Sequence, residues 1–374
     1  MFGTVLNDVG ERRCAHMRIG IDTQALSGGG RQGFSTYVWN LMRAFRSKFY
    51  DHEFLELSCA REPNWRLPNQ LCWDQVQLPY RAWRNKVDLL HAPAYSGAVA
   101  RSQPLVLTVH DLMYTRHPEW LPTQRARWYW GSWIPLTARR ATAVITPSEH
   151  TKHDLIELAR VSPDRIHVVP EAIDQLFLTH SSSEQIHVSL SRWVGKAPYL
   201  LYVGSVDGRK DWRALMQAFA LLRARIPEVR LVIAGHIIQG RSHIHEHIQA
   251  CNVADAVICT GYVEDAELVG LYAGASLFVY PSWFEGFGLP LLEAMAMGVP
   301  VISYRTSSIP EVVGDAAILI DPPFRSEDLA GEMERALTDH CYRSELVEKG
   351  VRRVKQFSWD RAAEETMAVY ERCI

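Results

Sequence analysis

The sequence predicts an α/β fold of two domains, each built on a parallel sheet. Three observations carry this. Short apolar runs alternate with longer amphipathic ones along the chain, the apolar runs read as buried strands, and 374 residues exceed what one ordinary core supports. In the first half the predicted strands are 18–22, 54–59, 89–91, 105–110, 143–146 and 166–169, with helical patterns at 37–45 and 151–158. In the second half they are 199–203, 230–234, 257–260, 277–280 and 299–303, and the helical pattern at 212–224 is the clearest between them. The two halves join near Ser181–Ser183 as two Rossmann-like units. Ligands of open parallel sheets bind beyond the carboxyl ends of the strands, so the expected site lies in the cleft between the units.

Composition narrows the function classes. A hydrophobic fraction of 47% and a formal charge of −2 describe a soluble globular protein without strong attraction for nucleic acid. Residues 1–180 hold 21 Lys and Arg against 17 Asp and Glu, and residues 181–374 hold 19 against 25, so the first half is mildly basic. Seven scattered cysteines with no C-x-x-C spacing favour reduced thiols and a cytoplasmic setting over a disulfide framework or a zinc site. The N-terminus lacks the apolar core of a signal peptide, and the first sixteen residues read as a loose extension or a misplaced start. The nearly uncharged stretch 274–304 is broken by Pro281, Pro290, Pro300 and two glutamates, so it reads as the packed heart of a domain, not a membrane span.

The most informative segment is EGFGLPLLE, from Glu285 to Glu293. Gly286 and Gly288 permit tight turns and close approach of a ligand to the backbone amides. Pro290 suits the first turn of a helix, and LLEAMA continues it. Glu285 is therefore expected in a loop and Glu293 inside a helix whose N-terminus faces the same space. Free amides there bind an anion while the two acids bind hydroxyl groups, a combination that suits a nucleotide sugar. From spacing alone, a surface acid followed by a helix acid is the commoner reading; the flanking sequence reverses it.

From Met17 onward the chain resembles the retaining glycosyltransferases of family 4, which have the two-domain GT-B fold. The resemblance rests on ordered segments: MRIGIDTQALSGGGRQGFSTY (17–37), LTVHDL (107–112), AVITPSEHTKHDL (143–155), VVPEAID (168–174) and LYVGSVDGRKDW (201–212). The strongest match is TGYVEDAELVGLYAGASLFVYPSWFEGFGLPLLEAMAMGVPVIS (260–303), and FSWDRAAEETMAVYER (357–372) resembles the closing helix. The resemblance implies an acceptor-side domain over 17–183, a nucleotide-sugar-binding domain over 184–356, and a helix over 357–374 that crosses back to the first domain.

It also implies residue roles. His110 and Glu285 are the catalytic candidates, with Glu285 contacting the hydroxyls of the donor sugar and His110 near sugar and phosphate. Arg209 and Lys210 match the diphosphate-binding pair, Glu293 the ribose-binding acid, and Gly286, Phe287, Gly288 and Leu289 the donor-binding loop. Gly33 lies in the loop that approaches donor and acceptor. Cations aimed at a leaving diphosphate stabilise the charge that develops there, so no metal or other cofactor is expected. The implied activity is transfer of a hexose, GDP-mannose first and UDP-glucose next as donor, to a glycan or lipid-linked acceptor with retention of configuration. The expected setting is cytoplasmic, with peripheral contact at the inner face of the membrane as an extension. A nucleotide-sugar epimerase and a non-catalytic binding scaffold are the alternatives. Two departures from the family stand out: Ser35, where many relatives have a second glycine, and Ser205, where some carry an arginine.

Three other motifs compete less well. Gly28–Gly33 fits G-x-G-x-x-G and Glu53 follows at a plausible distance, but Thr23–Ser27 separates it from its strand, unlike a dinucleotide fingerprint. His243, His245 and His247 would cluster only on a strand; on a helix they spread around the axis. Residues 125–140 interleave Trp128, Trp130 and Trp133 with arginines, which fits either a membrane-surface helix or one packed on the first domain.

Overall fold

The computed structural model describes residues 16–28, 33–58, 67–178, 191–195, 197–206, 208–236 and 241–374. The predicted join at 181–183, the loop residues Gly29–Gln32 and the N-terminal extension up to residue 15 lie outside them.

Two six-stranded sheets form, each wholly parallel. The first holds β1 (Arg18–Asp22), β2 (Glu53–Leu57), β3 (Leu89–Ala92), β4 (Leu105–Thr108), β5 (Ala143–Thr146) and β6 (Ile166–Val168), in spatial order β2-β1-β3-β4-β5-β6. The second holds β7 (Tyr199–Val203), β8 (Arg230–Ala234), β9 (Val257–Gly261), β10 (Leu277–Tyr280), β11 (Val301–Tyr304) and β12 (Ile318–Ile320), in order β12-β11-β10-β7-β8-β9. Strands buried on both faces need covering helices, and β3, β4, β5, β10 and β11 are buried along their whole length.

The sequence missed β12 and misplaced the ends of several others. β11 begins at Val301 and not at 299, because the Val299 amide bonds to Ala294 at the end of the preceding helix and Pro300 has no N–H to give. β4 ends at Thr108, which leaves His110 in the loop beyond its carboxyl end.

Each sheet has one topological switch. In the second sheet it falls between β7 and β10, neighbours in space with opposite winding on either side. The loops after these two strands carry Arg209 and Lys210 and, separately, Glu285, so topology alone converges them. The core of the second sheet forms one cluster around Phe219, Phe278 and Leu292. The first sheet has a cluster on each face, and the one around Ile19 and Phe45 includes Trp359, Ala363, Met367 and Tyr370 from the last helix, Trp359–Cys373. Trp359 Nε1 donates to the Ile173 carbonyl at 3.0 Å, and the Tyr370 hydroxyl meets His91 Nδ1 at 2.6 Å.

The stretch 124–140 is helical throughout, with a wider turn at Tyr129–Trp133 between Gln124–Trp128 and Ile134–Arg140. It packs on the first domain through Tyr129, Ile134 and Ala138, while Trp128 stays exposed. The histidine-rich segment is the helix Arg241–Ala250, where His247 meets the Trp212 ring at 5.1 Å. Among the described residues no helix is long and apolar enough to cross a membrane.

Candidate active site

Glu285 stands in the loop that follows β10, and its Oε1 collects the donors of both switch-point loops. It accepts hydrogen bonds from Arg209 Nη1 at 2.8 Å, Ser282 Oγ at 2.6 Å and the Tyr280 hydroxyl at 3.0 Å, with Lys210 Nζ at 3.6 Å. Burial by itself would raise this carboxyl; Arg209, Lys210, Ser282 and Tyr280 outweigh it and bring its pKa down to about 2. Among the described residues no donor reaches Oε2. Glu285 is thus a firmly ionised acceptor with one oxygen held and one available for a hydroxyl.

The two cations are fixed from below. Lys210 is buried, donates to the Tyr280 hydroxyl, and its Nζ lies 4.3 Å from the centre of that ring. A Cβ on Gly204 would sit 2.8 Å from this Nζ, so the glycine after β7 makes the room the ammonium occupies. Asp211 caps the next helix, Trp212–Arg223, through Ala214 N and accepts from the Tyr304 hydroxyl at 3.0 Å. These contacts hold the Arg209–Lys210 turn at a fixed height over the sheet.

Glu293 lies where the sequence placed it, inside the helix Leu289–Ala296, with Gly288 in a left-handed conformation as its cap. Its Oε2 accepts from the Tyr272 hydroxyl at 2.9 Å. Burial, reinforced by Asp174 and Asp265, raises its pKa to about 7 against the Tyr272 bond. The two acids of the motif are therefore driven apart, one ionised across the physiological range and one titrating within it. Phe287 turns its ring into the core against Phe357 at 5.6 Å, and Leu289 packs there too, so these two offer a ligand their backbone and not their side chains.

The first domain supplies the opposite wall. His110 is buried, with Nδ1 2.7 Å from Glu171 Oε1 and Nε2 2.9 Å from the Pro93 carbonyl. A carbonyl only accepts, so Nε2 carries a proton, and the carboxylate favours a second on Nδ1. Burial lowers the pKa of this imidazole, but Glu171 and the Pro93 carbonyl more than offset it and the net shift is upward. Asp111 accepts from the Tyr95 hydroxyl at 2.8 Å, and the Phe34 ring packs 5.2 Å from His110 and 4.9 Å from Tyr95. Gly33, at φ 55° and ψ −118°, precedes Phe34 and opens its helix, which places it one residue from the ring that packs on His110.

The walls touch at Gly286. A Cβ there would lie 2.1 Å from the His110 carbonyl oxygen, so only glycine fits. The Gly286 carbonyl accepts from Ser148 Oγ at 2.7 Å, and the carboxylate of Glu311 accepts from the backbone N–H groups of Glu149 and His150, both at 2.9 Å. That carboxylate sits at the positive end of the helix Glu149–Glu157. The structure thus links Arg209, Lys210, Glu285, Gly286 and His110 in one run of neighbours, with Gly33 next to the Phe34 ring that packs on His110. Sequence reasoning gave no role to Glu171, Asp111, Tyr95, Tyr280, Ser148 or Glu311; Asp111, Ser148, Glu171 and Tyr280 lay inside the segments that carry the resemblance, while Tyr95 and Glu311 lay outside them.

Residues 185–353 match the family Glycosyl transferases group 1, and residues 31–175 match Glycosyltransferase Family 4. O-antigen chain mannosyltransferase B of Escherichia coli is 32% identical over 275 residues, covering 72% of this chain and 71% of that protein. The chain belongs to the group 1 glycosyltransferases. This glycosyltransferase is also 31% identical over 288 residues to the MMP alpha-(1->4)-mannosyltransferase of Mycolicibacterium hassiacum, covering 72% of this chain and 66% of that one. The serotype-specific mannosyltransferase WbdA of Escherichia coli is 29% identical over 228 residues, which are 60% of this chain but only 28% of WbdA. Among solved structures, HepE of Anabaena in complex with UDP-glucose superposes with a TM-score of 0.75 at 19% identity, over 96% of this chain and all of that one. The lipopolysaccharide glycosyltransferase WaaG gives 0.73 at 16% identity, over 93% and 98%. These neighbours share the GT-B fold, two Rossmann-like domains facing a cleft, which is the fold the sequence resembles.

Proposed function

We propose that this glycosyltransferase moves a hexose, mannose by preference, from a nucleotide sugar to a glycan or lipid-linked acceptor with retention of configuration. The observation that carries the reading is the Glu285 carboxylate held on Arg209 and Lys210 at the switch point of the second sheet. A guanidinium fork and an ammonium in one buried turn suit a diphosphate, and they stabilise the charge that develops on it as the sugar leaves. In that role they make a divalent metal unnecessary. Glu285 Oε2 then accepts from hydroxyls of the donor sugar, while Glu293, one helix turn into Leu289–Ala296, takes the ribose. His110, paired with Glu171, sits at the facing wall. The acceptor hydroxyl attacks on the leaving group's own face, and the departing phosphate takes its proton.

Mannose is supported by the three mannosyltransferases among the relatives, and a nucleotide-sugar donor by the UDP-glucose complex of HepE. A lipid-linked acceptor met at a membrane surface is supported by exposed Tyr80 and Trp83 beside Arg81 and Arg84, and by exposed Trp128 beside Arg127. The test is a thermal-shift series with GDP, UDP, ADP and dTDP without metal, followed by transfer assays with the matching nucleotide sugar. A shift with GDP and transfer from GDP-mannose in EDTA is the expected result. No shift with any nucleotide would remove the reading.

A further inference from the structure

A cavity of about 380 Å3 opens between the domains beside the Glu285 loop. His117, His150 and Asp154 line it from the first domain, and Trp283, Thr306 and Ser307 from the second. Asp154 is its unusual member. Its side chain is 2% exposed, and Oδ1 takes both bonds from Arg116, at 3.1 and 2.6 Å. Oδ2 has no hydrogen-bond partner, and neither has His150 Nε2, which lies 3.7 Å from it. That separation is too long for a hydrogen bond between them. Both atoms lie just beneath the cavity wall, and 3.7 Å is short enough for one hydroxyl, admitted by a small shift of the His150 ring, to bridge them. An unpaired carboxylate oxygen beside an unpaired imidazole nitrogen selects a group that donates to the first and accepts from the second once Nε2 carries its proton, and an alcohol is that group.

Charge points the same way. Arg116 is already neutralised by Asp154 and Glu157, so the cavity has no spare guanidinium for phosphate, and a bare carboxylate oxygen repels an anion. Its second wall is aromatic: Trp283 is 42% exposed, yet its ring is braced edge-on by Phe324 at 4.9 Å and Tyr304 at 5.8 Å. A fixed, exposed indole beside open hydroxyl-binding groups suits the apolar face of a sugar ring. The cavity is also tied to the active site. Ser307, held at φ 47°, accepts from the Glu285 amide at 2.9 Å, and Thr306 Oγ1 donates to the Trp283 carbonyl at 2.9 Å.

We propose that this crevice is a saccharide subsite that holds a hexose unit of the acceptor chain away from the transferred sugar. The inference rests on the reading that the acceptor is a glycan. It is tested with the full chain by titrating mannotetraose, maltotetraose and inorganic phosphate, with nucleotide binding measured on the same preparation. A tetrasaccharide should bind without competition from phosphate. Trp283→Ala and His150→Ala should each raise the KM for a tetrasaccharide acceptor about tenfold, leaving kcat and the KM for a methyl hexoside acceptor unchanged. Both variants alter side chains at the cavity surface, and their melting temperatures provide the folding control. Nucleotide binding with no binding of either tetrasaccharide overturns the subsite and leaves the transferase reading intact. Displacement by phosphate, or equal KM values for long and short acceptors in wild type and variants, overturns it too. Failure of every nucleotide as well would remove the underlying reading and the subsite with it.

Discussion

Glu285→Gln separates what the charge of this residue does for the empty protein from what it does for transfer. In the structure its Oε1 neutralises Arg209 and Lys210, and its pKa falls from 4.5 to about 2. A depressed carboxyl contributes stability that is present above its unfolded pKa and lost as pH falls through the folded value, so the full contribution is present at pH 7. At about 1.4 kcal/mol per unit, the shift corresponds to something on the order of 3 kcal/mol. Glutamine keeps the shape and can still accept from Ser282, but withdraws this carboxylate's charge from the two cations. The variant should melt roughly 5–10 °C lower at pH 7 and lose most of that deficit near pH 2–3. A diphosphate restores the missing anion, so GDP should raise the melting temperature of the variant more than that of the wild type. Transfer should fall at least about 100-fold, because the acceptor for the sugar hydroxyls is gone. Scanning fluorimetry with and without GDP, alongside a radiolabelled sugar assay, reads all three. Full transfer activity, or a smaller GDP shift in the variant than in the wild type, would refute the assignment of these cations to the diphosphate.

Four further outcomes are expected. Glu293 is pushed up to about 7, so ionising it costs stability as pH rises from its unfolded value toward 7; Glu293→Gln should stabilise the empty enzyme by about 1–3 kcal/mol at pH 8 and by nothing near pH 4, in melts run at both. Gly286→Ala places a Cβ 2.1 Å from the His110 carbonyl, so the loops must part; a loss of about 1–3 kcal/mol and of nearly all transfer should follow, checked by denaturant melts and initial rates. In Glu171→Gln the imidazole of His110 loses its charged partner, so its pKa, now raised, should drop below 6.5 in a histidine NMR titration, and stability gained below that pH should vanish. Glu311→Ala removes the acceptor of two backbone amides at a helix start, which should cost about 0.5–2 kcal/mol and widen the cleft in small-angle scattering.

The sequence made some of this visible for local reasons. The contrast between Glu285 in a loop and Glu293 in a helix follows from Gly286, Gly288 and Pro290 within nine residues, and 199–203, 231–234 and 277–280 are continuous apolar runs with clear breaks. The Arg209–Lys210 turn gave only a weak local signal; family resemblance supplied its role. What stayed hidden is built from distant partners. His110 meets Glu171 61 residues away, and Ser148 meets Gly286 138 residues away. No pattern within either segment encodes such a pairing. β12, Ile318–Ile320, was missed although β6, equally short, was read from its sequence.

The placement of the last helix has a consequence for biosynthesis. Trp359, Met367 and Tyr370 complete a hydrophobic face whose other members, Ile19, Leu41 and Phe45, are made more than three hundred residues earlier. On the ribosome the first sheet must wait, with that face covered only in part by the helix Phe34–Lys48, until the whole second domain has emerged. The domain translated first is therefore the one finished last, and its exposed face is where a nascent-chain chaperone would have work to do.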